Sequence, residues 1–332
     1  MSHSNSSLNC FAACAAKYEH NYILHTPPCK PPSPHLGFGA MAHEVLYKAG
    51  VLRDEVDDGV VDTEKYYPII PSEVLYSEYK EFFGINNWYS YFTQVIKQVA
   101  KYEKDLVKEF TNGPIQIERE IKVQMTVEQL EHYGYTGIKQ PIVGIIDMLI
   151  HDGTNAVIID YKFSSSRKTQ DDFDLNSQLP LYAFFVHHLY DIPLHNIKYG
   201  YIDIPKKSFD TPSLLKGGTL SRSKSQNVSS EMYEKAVTAI HGDDEYYNCA
   251  PGGYYYDVWC ELQNNKAAYL STQWLDMYVY ANVIDDLMKT AKFVDGMVDL
   301  DLPFLRKYDS YTCKDCEYLK ACKPWLTVNG GF

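Results

Sequence analysis

No apolar run in this chain is long enough to cross a bilayer. The best stretch, residues 141–150, is interrupted by Asp147 and falls short of the roughly 20 residues a spanning helix needs. The start, MSHSNSSLNC, is polar and lacks the apolar segment of a secretory leader. Positive charge is in deficit: 43 acidic against 31 basic residues leave a net charge of −12. That excludes a protein that coats nucleic acid by neutralising many phosphates. Internal repeats are also missing. These absences together lead us to expect a soluble, cytoplasmic protein with no membrane contact. With 332 residues, 45% hydrophobic and 22% charged, the chain can bury a sizeable core.

Tyrosine and cysteine are plentiful. The 29 tyrosines include the clusters Tyr66-Tyr67, Tyr246-Tyr247 and Tyr254-Tyr255-Tyr256. Tyrosine stacks on bases but is also an ordinary packing residue, and most of these are read as packing. In a reducing compartment the eight cysteines point to metal or cluster ligation before disulfides.

Periodicity predicts a helix over residues 7–24 with Ser7 as N-cap, a proline-rich connector over 26–34, and a helix over 37–48 behind glycines 37 and 39. Residues 54–62 are acidic, and 88–110 reads as a helix. Residues 115–125 alternate, with Ile115, Ile117, Arg119, Ile121, Val123 and Met125 at odd positions and polar residues between them. Such alternation predicts a half-buried strand with Glu118 and Glu120 on its polar face. Strands over 141–150 and 156–162 follow, joined by the turn His151-Asp152-Gly153. Next come a helix from about 176 to 190, with Pro180 tolerated only in its first turn, and a strand over 196–204. Residues 206–230 are loose, and 232–241 and 270–293 read as helices. The order predicts one α/β core embroidered by helices.

Asp147 and the segment Asp160-Tyr161-Lys162 interrupt strongly apolar runs, where an unpaired charge would cost several kcal/mol, of order 3–5. Asp160 and Lys162 stand two apart on a strand, so their side chains leave the same face. If the hairpin brings Asp147 alongside, two carboxylates offer a hard oxygen site for Mg²⁺ or Mn²⁺. An ion there can acidify water and neutralise a scissile phosphate, while the ammonium acts on the water or on developing charge. A structural salt bridge is the competing reading. Gln178 and Tyr182, four apart, share a helix face soon after the lysine.

Cys313, Cys316 and Cys322 place three potential ligands within ten residues, and a fourth is needed. The helix carrying Cys14 is the natural donor, with Cys10 competing. Four thiolates suit zinc or a 4Fe–4S cluster, and a ligand so distant in sequence is unlike a zinc ribbon. Cys29, Cys249 and Cys260 are read as structural. Lys206, Lys207, Lys216, Arg222 and Lys224 form a locally basic stretch, either a phosphate track or a solvated loop.

In sequence order the chain carries Cys14-x3-Tyr18, Gly39-x3-His43, Glu118 or Glu120, Gly144-x2-Asp147, Asp160-x-Lys162, Gln178-x3-Tyr182 and Cys313-x2-Cys316-x5-Cys322. This series resembles the RecB-like branch of the PD-(D/E)XK nucleases, and within it the iron–sulfur exonucleases of CRISPR adaptation, recombination and phages. The resemblance runs from residue 7 to 325. It implies one nuclease domain over 1–332, a central mixed sheet flanked by helices. An N-terminal helical segment (7–48) would carry Cys14 and His43, with the catalytic core over 112–204. A flexible basic loop (206–230) and a helical C-terminal part (231–332) with the cysteine cluster would follow. It further implies that His43, Asp147, Asp160 and the main-chain carbonyl of Tyr161 hold the catalytic metal. Lys162 would activate water, Gln178 and Tyr182 would orient the lysine or the DNA, and Glu118 or Glu120 would flank them. Cys14, Cys313, Cys316 and Cys322 would hold a 4Fe–4S cluster. The expected activity is an exonuclease on DNA ends, single- or double-stranded, serving recombination, replication or repair with proteins of those processes. Residues 217–230 resemble a segment of phage members, which suggests an enzyme at work in a bacterium or a phage-infected host. An endonuclease of the same chemistry, or an inactive DNA-binding or assembly protein on the same fold, are the alternatives.

Overall fold

A computed structural model describes residues 1–30, 33–54, 85, 87–110, 113–164, 168–307, 313–314 and 316–322. Most of the acidic stretch 54–62 therefore lies outside the described residues, as do parts of the connector and of the cysteine segment. A short strand, β1 (His3–Ser4), opens the chain. Helix α1 (Asn5–Ala13) follows, then α2 (Ala15–Tyr18). Ser4, not Ser7, is the N-cap: Ser7 sits at the third helical position and completes a capping box with Ser4, each satisfying one orphan N–H. The single helix expected over 7–24 is broken at Cys14, whose backbone is extended (φ −162°, ψ 106°).

Helices α3 (Pro34–Asp54) and α4 (Trp88–Val107) are followed by β2 (Gln116–Met125), the short α5 (Val127–His132), β3 (Ile142–His151) and β4 (Ala156–Ser164). The β3–β4 turn is held by Asp152 Oδ1, which accepts from the N–H groups of Thr154 (2.9 Å) and Asn155 (2.7 Å). The small α6 (Gln170–Asp174) leads to α7 (Gln178–Tyr190), where Pro180 lies in the first turn as required. Strand β5 (Ile197–Pro205), helices α8 (Ser230–His241) and α9 (Tyr256–Leu262), strand β6 (Tyr269–Trp274), helix α10 (Met277–Asp299) and the turn-length α11 (Leu319–Cys322) complete the order. The helix expected over 270–293 thus begins later. Residues 269–274, YLSTQW, pair antiparallel with β5, and Asp276 caps the helix by accepting from Tyr278 and Val279 N–H.

The sheet runs β1-β3-β4-β5-β6, with β2 on the other edge of β3. β1–β3 and β4–β5 are parallel and the remaining pairs antiparallel. One face is packed by α7 and α10, with Phe184, Phe185, Ile284 and Met288 buried against β3 and β5. The other is packed by α3 and α4, with Phe38, Leu46, Phe92 and Val99 buried against β4 and β5. A mixed sheet between two helical layers is the expected α/β architecture. Residues between β5 and β6 form their own small core around Tyr233, Tyr255 and Val258.

One expectation about β2 is overturned. Ile115 and Ile117 pack towards α3 and α4, but Ile121, Val123 and Met125 pack towards α7. The alternation changes face at Glu120, whose backbone is left-handed (φ 49°). β3 changes face at the opposite point, with Met148 and Ile150 in one layer and Ile146 and Ile142 in the other. The register does not slip, since Arg119 pairs with Met148 and Ile121 with Ile146. Glu120 and Asp147 are thus the facing pair at which the two-strand ribbon rolls over.

Candidate active site

The β3–β4 ladder ends at Met148–Ile159, one step before the two aspartates would face each other. Farther along, β1 takes the freed edge of β3 only at Ile142 and Val143. Asp147 bridges the fork: its Oδ2 accepts the Tyr161 N–H at 2.8 Å. The N–H and C=O of one strand residue point to the same edge, so the Tyr161 carbonyl faces the same gap. The Tyr161 side chain is buried among the α3 and α4 residues.

Asp160 and Lys162 leave β4 on the α7 side, as their spacing predicts. Asp160 is 2% exposed. Its Oδ2 lies 2.6 Å from Lys162 Nζ, but as an ion pair without the geometry of a directed hydrogen bond. Gln178, first residue of α7, clamps the group through its amide. Its Oε1 accepts from Lys162 Nζ at 3.0 Å, and its Nε2 donates to Asp160 Oδ1 at 3.1 Å and to the Tyr182 hydroxyl at 2.7 Å. Gln178 is held in place because Asn176 Oδ1 accepts from the N–H groups of Gln178 and Leu179, satisfying the helix start. Burial and the nearby Asp147 charge raise the Asp160 pKa from 3.8 to about 6, against the opposing pull of Lys162.

His43 reaches the same gap from α3, its Nδ1 3.2 Å from Asp147 Oδ1, with its ring edge-on to Phe163 at 5.4 Å. Burial acts to lower its pKa, but the hydrogen bond and charge of Asp147 outweigh that and the net shift is upward. His43, Glu120, Asp147, Asp160, Lys162 and Gln178 line one cleft of about 560 Å³.

The two candidate flanking acids separate cleanly. Glu120 faces the cleft, whereas Glu118 accepts from Tyr190 (3.1 Å) and pairs with His151 (2.9 Å) near the far end of α7. Arg119, read from the sequence as one of the odd-position residues of β2, was missed as a residue that positions the cleft wall. Its guanidinium binds Asp54 with Nε and Nη2 (2.8 and 2.9 Å) and Glu103 with Nη1 and Nη2 (3.0 Å each), and Glu103 also accepts from Arg53 at 2.7 Å. This buried network ties α3, and hence His43, to β2 and α4. Gly50 makes room for it, because a Cβ there would stand 2.6 Å from Arg119 Cδ. An arginine inside an alternating apolar series was the available signal.

The donor set fits a hard divalent cation: two carboxylates, a main-chain carbonyl and an imidazole around a buried Asp160 oxygen without a directed hydrogen bond. Among the described residues no three His, Cys, Asp or Glu side chains are gathered tightly enough to close on an ion as they stand. The His43–Asp147 contact occupies part of that space.

At the other end of α1, Cys14, Cys313, Cys316 and Cys322 line one small cavity with Lys17 and His20. Protein contacts join the N-terminal segment to residues 316–322 there. Lys17 pairs with Glu317 at 3.0 Å, Tyr318 donates to Asn21 Oδ1 at 2.9 Å, and the Cys29 N–H donates to the Glu317 carbonyl at 2.7 Å. Burial pushes the Cys10 thiol up to about 11 and raises those of Cys316 and Cys322. Cys249 belongs to the small core between β5 and β6, while Cys29 is exposed. Of the basic stretch, Arg222 and Lys224 both pair with Asp257, at 2.7 and 3.3 Å, and Lys206 Nζ lies 3.2 Å from His35 Nδ1. One carboxylate shared by two of those five cations therefore offsets a single positive charge. No helix among the described residues is long and apolar enough to cross a membrane.

No curated protein matches the chain. Among solved structures, that of an inferred exonuclease from Eubacterium rectale is similar at 9% identity and TM-score 0.46, over 100% of this chain and 94% of the other. The structure of SSO0001 is similar at 13% identity and TM-score 0.24, over 75% and 78%. Neither likeness carries weight at those scores. The sequence model of the PD-(D/E)XK nuclease superfamily, whose members are nucleases that use divalent ions such as Mg²⁺ or Mn²⁺, matches residues 2–323. Spanning almost the whole chain, that match shows that this protein belongs to the PD-(D/E)XK nuclease superfamily.

Proposed function

We propose that the chain is a deoxyribonuclease that shortens DNA from its ends, in recombination, replication or repair. The observation that carries the catalytic part is the convergence of His43, Asp147, Asp160 and Lys162 on one cleft where β3 and β4 part. Asp147, Asp160, His43 and the Tyr161 carbonyl would hold the divalent ion. When bound, it lowers the pKa of water and offsets charge on the phosphate. Lys162, as an ammonium, would hold the attacking water and offset the charge that develops on the phosphate. Gln178 would keep the ammonium aimed, and Tyr182 would fix Gln178 in turn. Glu120 stands at the rim, placed to orient water.

The end requirement rests on the resemblance of the motif series to exonucleases. Incubation with closed circular and end-labelled linear DNA, single- and double-stranded, in Mn²⁺ or Mg²⁺ tests it. Degraded linear DNA beside intact circles is expected, and cut circles would establish the endonuclease alternative. For the clasp we propose a 4Fe–4S cluster on Cys14, Cys313, Cys316 and Cys322, supported by their shared cavity. Stoichiometric zinc without iron in anaerobically purified protein would replace it with a zinc clasp.

A further inference from the structure

Behind the catalytic cleft lies a second cavity of about 630 Å³, the size of a small-molecule site. Its walls are largely apolar, from Val123, Val143, Leu181 and Tyr182, with Lys122 at one side and the start of α1 at another. The two cavities share Ile145, Gln178 and Tyr182. Ile145 is 46% exposed although it lies in a central strand, since the face switch at Asp147 leaves it outside both cores. Lys122 makes no ion pair among the described residues. We propose that this cavity is a nucleoside subsite, which takes one unpaired base of the substrate strand next to the scissile phosphate. In it Ile145 and Tyr182 pack the base, and Lys122 meets the adjoining phosphate.

The occupant follows from position and chemistry. A strand whose phosphate lies at Asp160 and Lys162 must continue past Gln178 or past Ile145, and Ile145 borders an apolar hollow. Bases have an apolar face that packs on such walls whatever the sequence. The neighbouring phosphate finds in Lys122 a cation that pairs with no carboxylate among the described residues. A base still in a duplex cannot enter, so the subsite selects single strands or frayed ends. This inference rests on the catalytic reading above but is tested apart from it.

The test measures anisotropy of a fluorescein-labelled twelve-residue thymidine strand in EDTA, where no cleavage occurs. It is repeated with the same strand made abasic and with a blunt duplex. The wild type is expected to bind the thymidine strand about tenfold more tightly than either of the others. Ile145→Ala should lose most of that factor, whereas Lys122→Ala, which removes a phosphate contact that both single strands make, should weaken both several-fold and leave their ratio unchanged. Both variants should hydrolyse bis-p-nitrophenyl phosphate, an ester without a base, at the wild-type rate in Mn²⁺. Equal affinity of the wild type for thymidine and abasic strands would overturn the subsite, as would variants that bind like the wild type. Absence of ester hydrolysis in the wild type would instead overturn the catalytic reading, with the anisotropy still deciding the subsite.

Discussion

Asp160→Asn should make the metal-free protein more stable while abolishing cleavage. Ionised Asp160 is buried beside Asp147, and its pKa is raised from 3.8 to about 6. A folded-state pKa above the unfolded one stabilises the fold fully at pH below about 4, and that gain is lost as pH rises through about 6. A rise from 3.8 to about 6 corresponds to about 3 kcal/mol at pH 8, an upper figure because Lys162 loses its partner in the variant. Urea unfolding in EDTA should therefore show the variant ahead of wild type by about 2–3 kcal/mol at pH 8. The gap should close as pH falls from about 6 to about 4. Mn²⁺ should reverse the order, since an ion at about 1,000 times its Kd adds about 4.1 kcal/mol to wild type and little to the variant. A variant no more stable than wild type at pH 8 would refute the reasoning, as would a gap that does not change with pH.

Gln178→Ala should slow cleavage roughly 10–100-fold, the usual cost of removing a supporting partner. Metal affinity measured by calorimetry should stay near wild type, and a large loss of affinity would make Gln178 part of the metal site. Arg119→Ala should lower stability by about 3 kcal/mol, the low end for a broken buried pair, because Glu103 keeps only Arg53 as its buried partner. Arg119→Lys should recover little of this, lacking the two-sided fork, and a fully stable lysine variant in urea would count against the network. Glu120→Val should cost about 1–2 kcal/mol for a β-branched residue in left-handed backbone, and Glu120→Gly clearly less. Equal unfolding midpoints for the two would remove the strain. Replacing Cys14, Cys313, Cys316 or Cys322 by Ser should give colourless protein of lower thermal stability, whereas Cys249→Ser should keep its visible absorbance.

The strands bearing the two candidate acids were legible because they obey simple rules. Continuous apolar runs ending at Asp147 and Asp160 marked buried strands carrying charges with a purpose. The two-residue step from Asp160 to Lys162 placed both on one face, where α7 covers them. Pro180 set the start of α7 within two residues. What was not legible depends on tertiary pairing. Residues 269–274 become a strand only because β5 offers an edge, and a local window sees apolar spacing that also suits a helix. The break at Cys14 has no proline or glycine to announce it. It is stabilised from outside, where the Ala16 N–H donates to the Leu305 carbonyl at 3.2 Å.

The most instructive departure lies at the site itself. Eleven alternating residues, 115–125, argue for one continuous buried face, yet the face changes at Glu120. A non-glycine residue in left-handed backbone costs on the order of 1–3 kcal/mol and persists only where its surroundings over-determine it. Here they do. Arg119 is locked to Asp54 and Glu103 on one side, and Ile121 and Val123 are locked into the α7 core on the other. Had β2 and β3 kept one phase throughout, Ile146 would have stayed with Met148 in the layer of α3 and α4. The β3 edge beside Asp147 would then have continued its ladder with β4. The roll of the ribbon parts β3 from β4 where the carboxylates stand, leaves the Tyr161 carbonyl facing the gap, and turns Ile145 out between two cavities. Local pattern and site geometry conflict at Glu120, and a conflict of that kind belongs where function rather than stability sets the backbone.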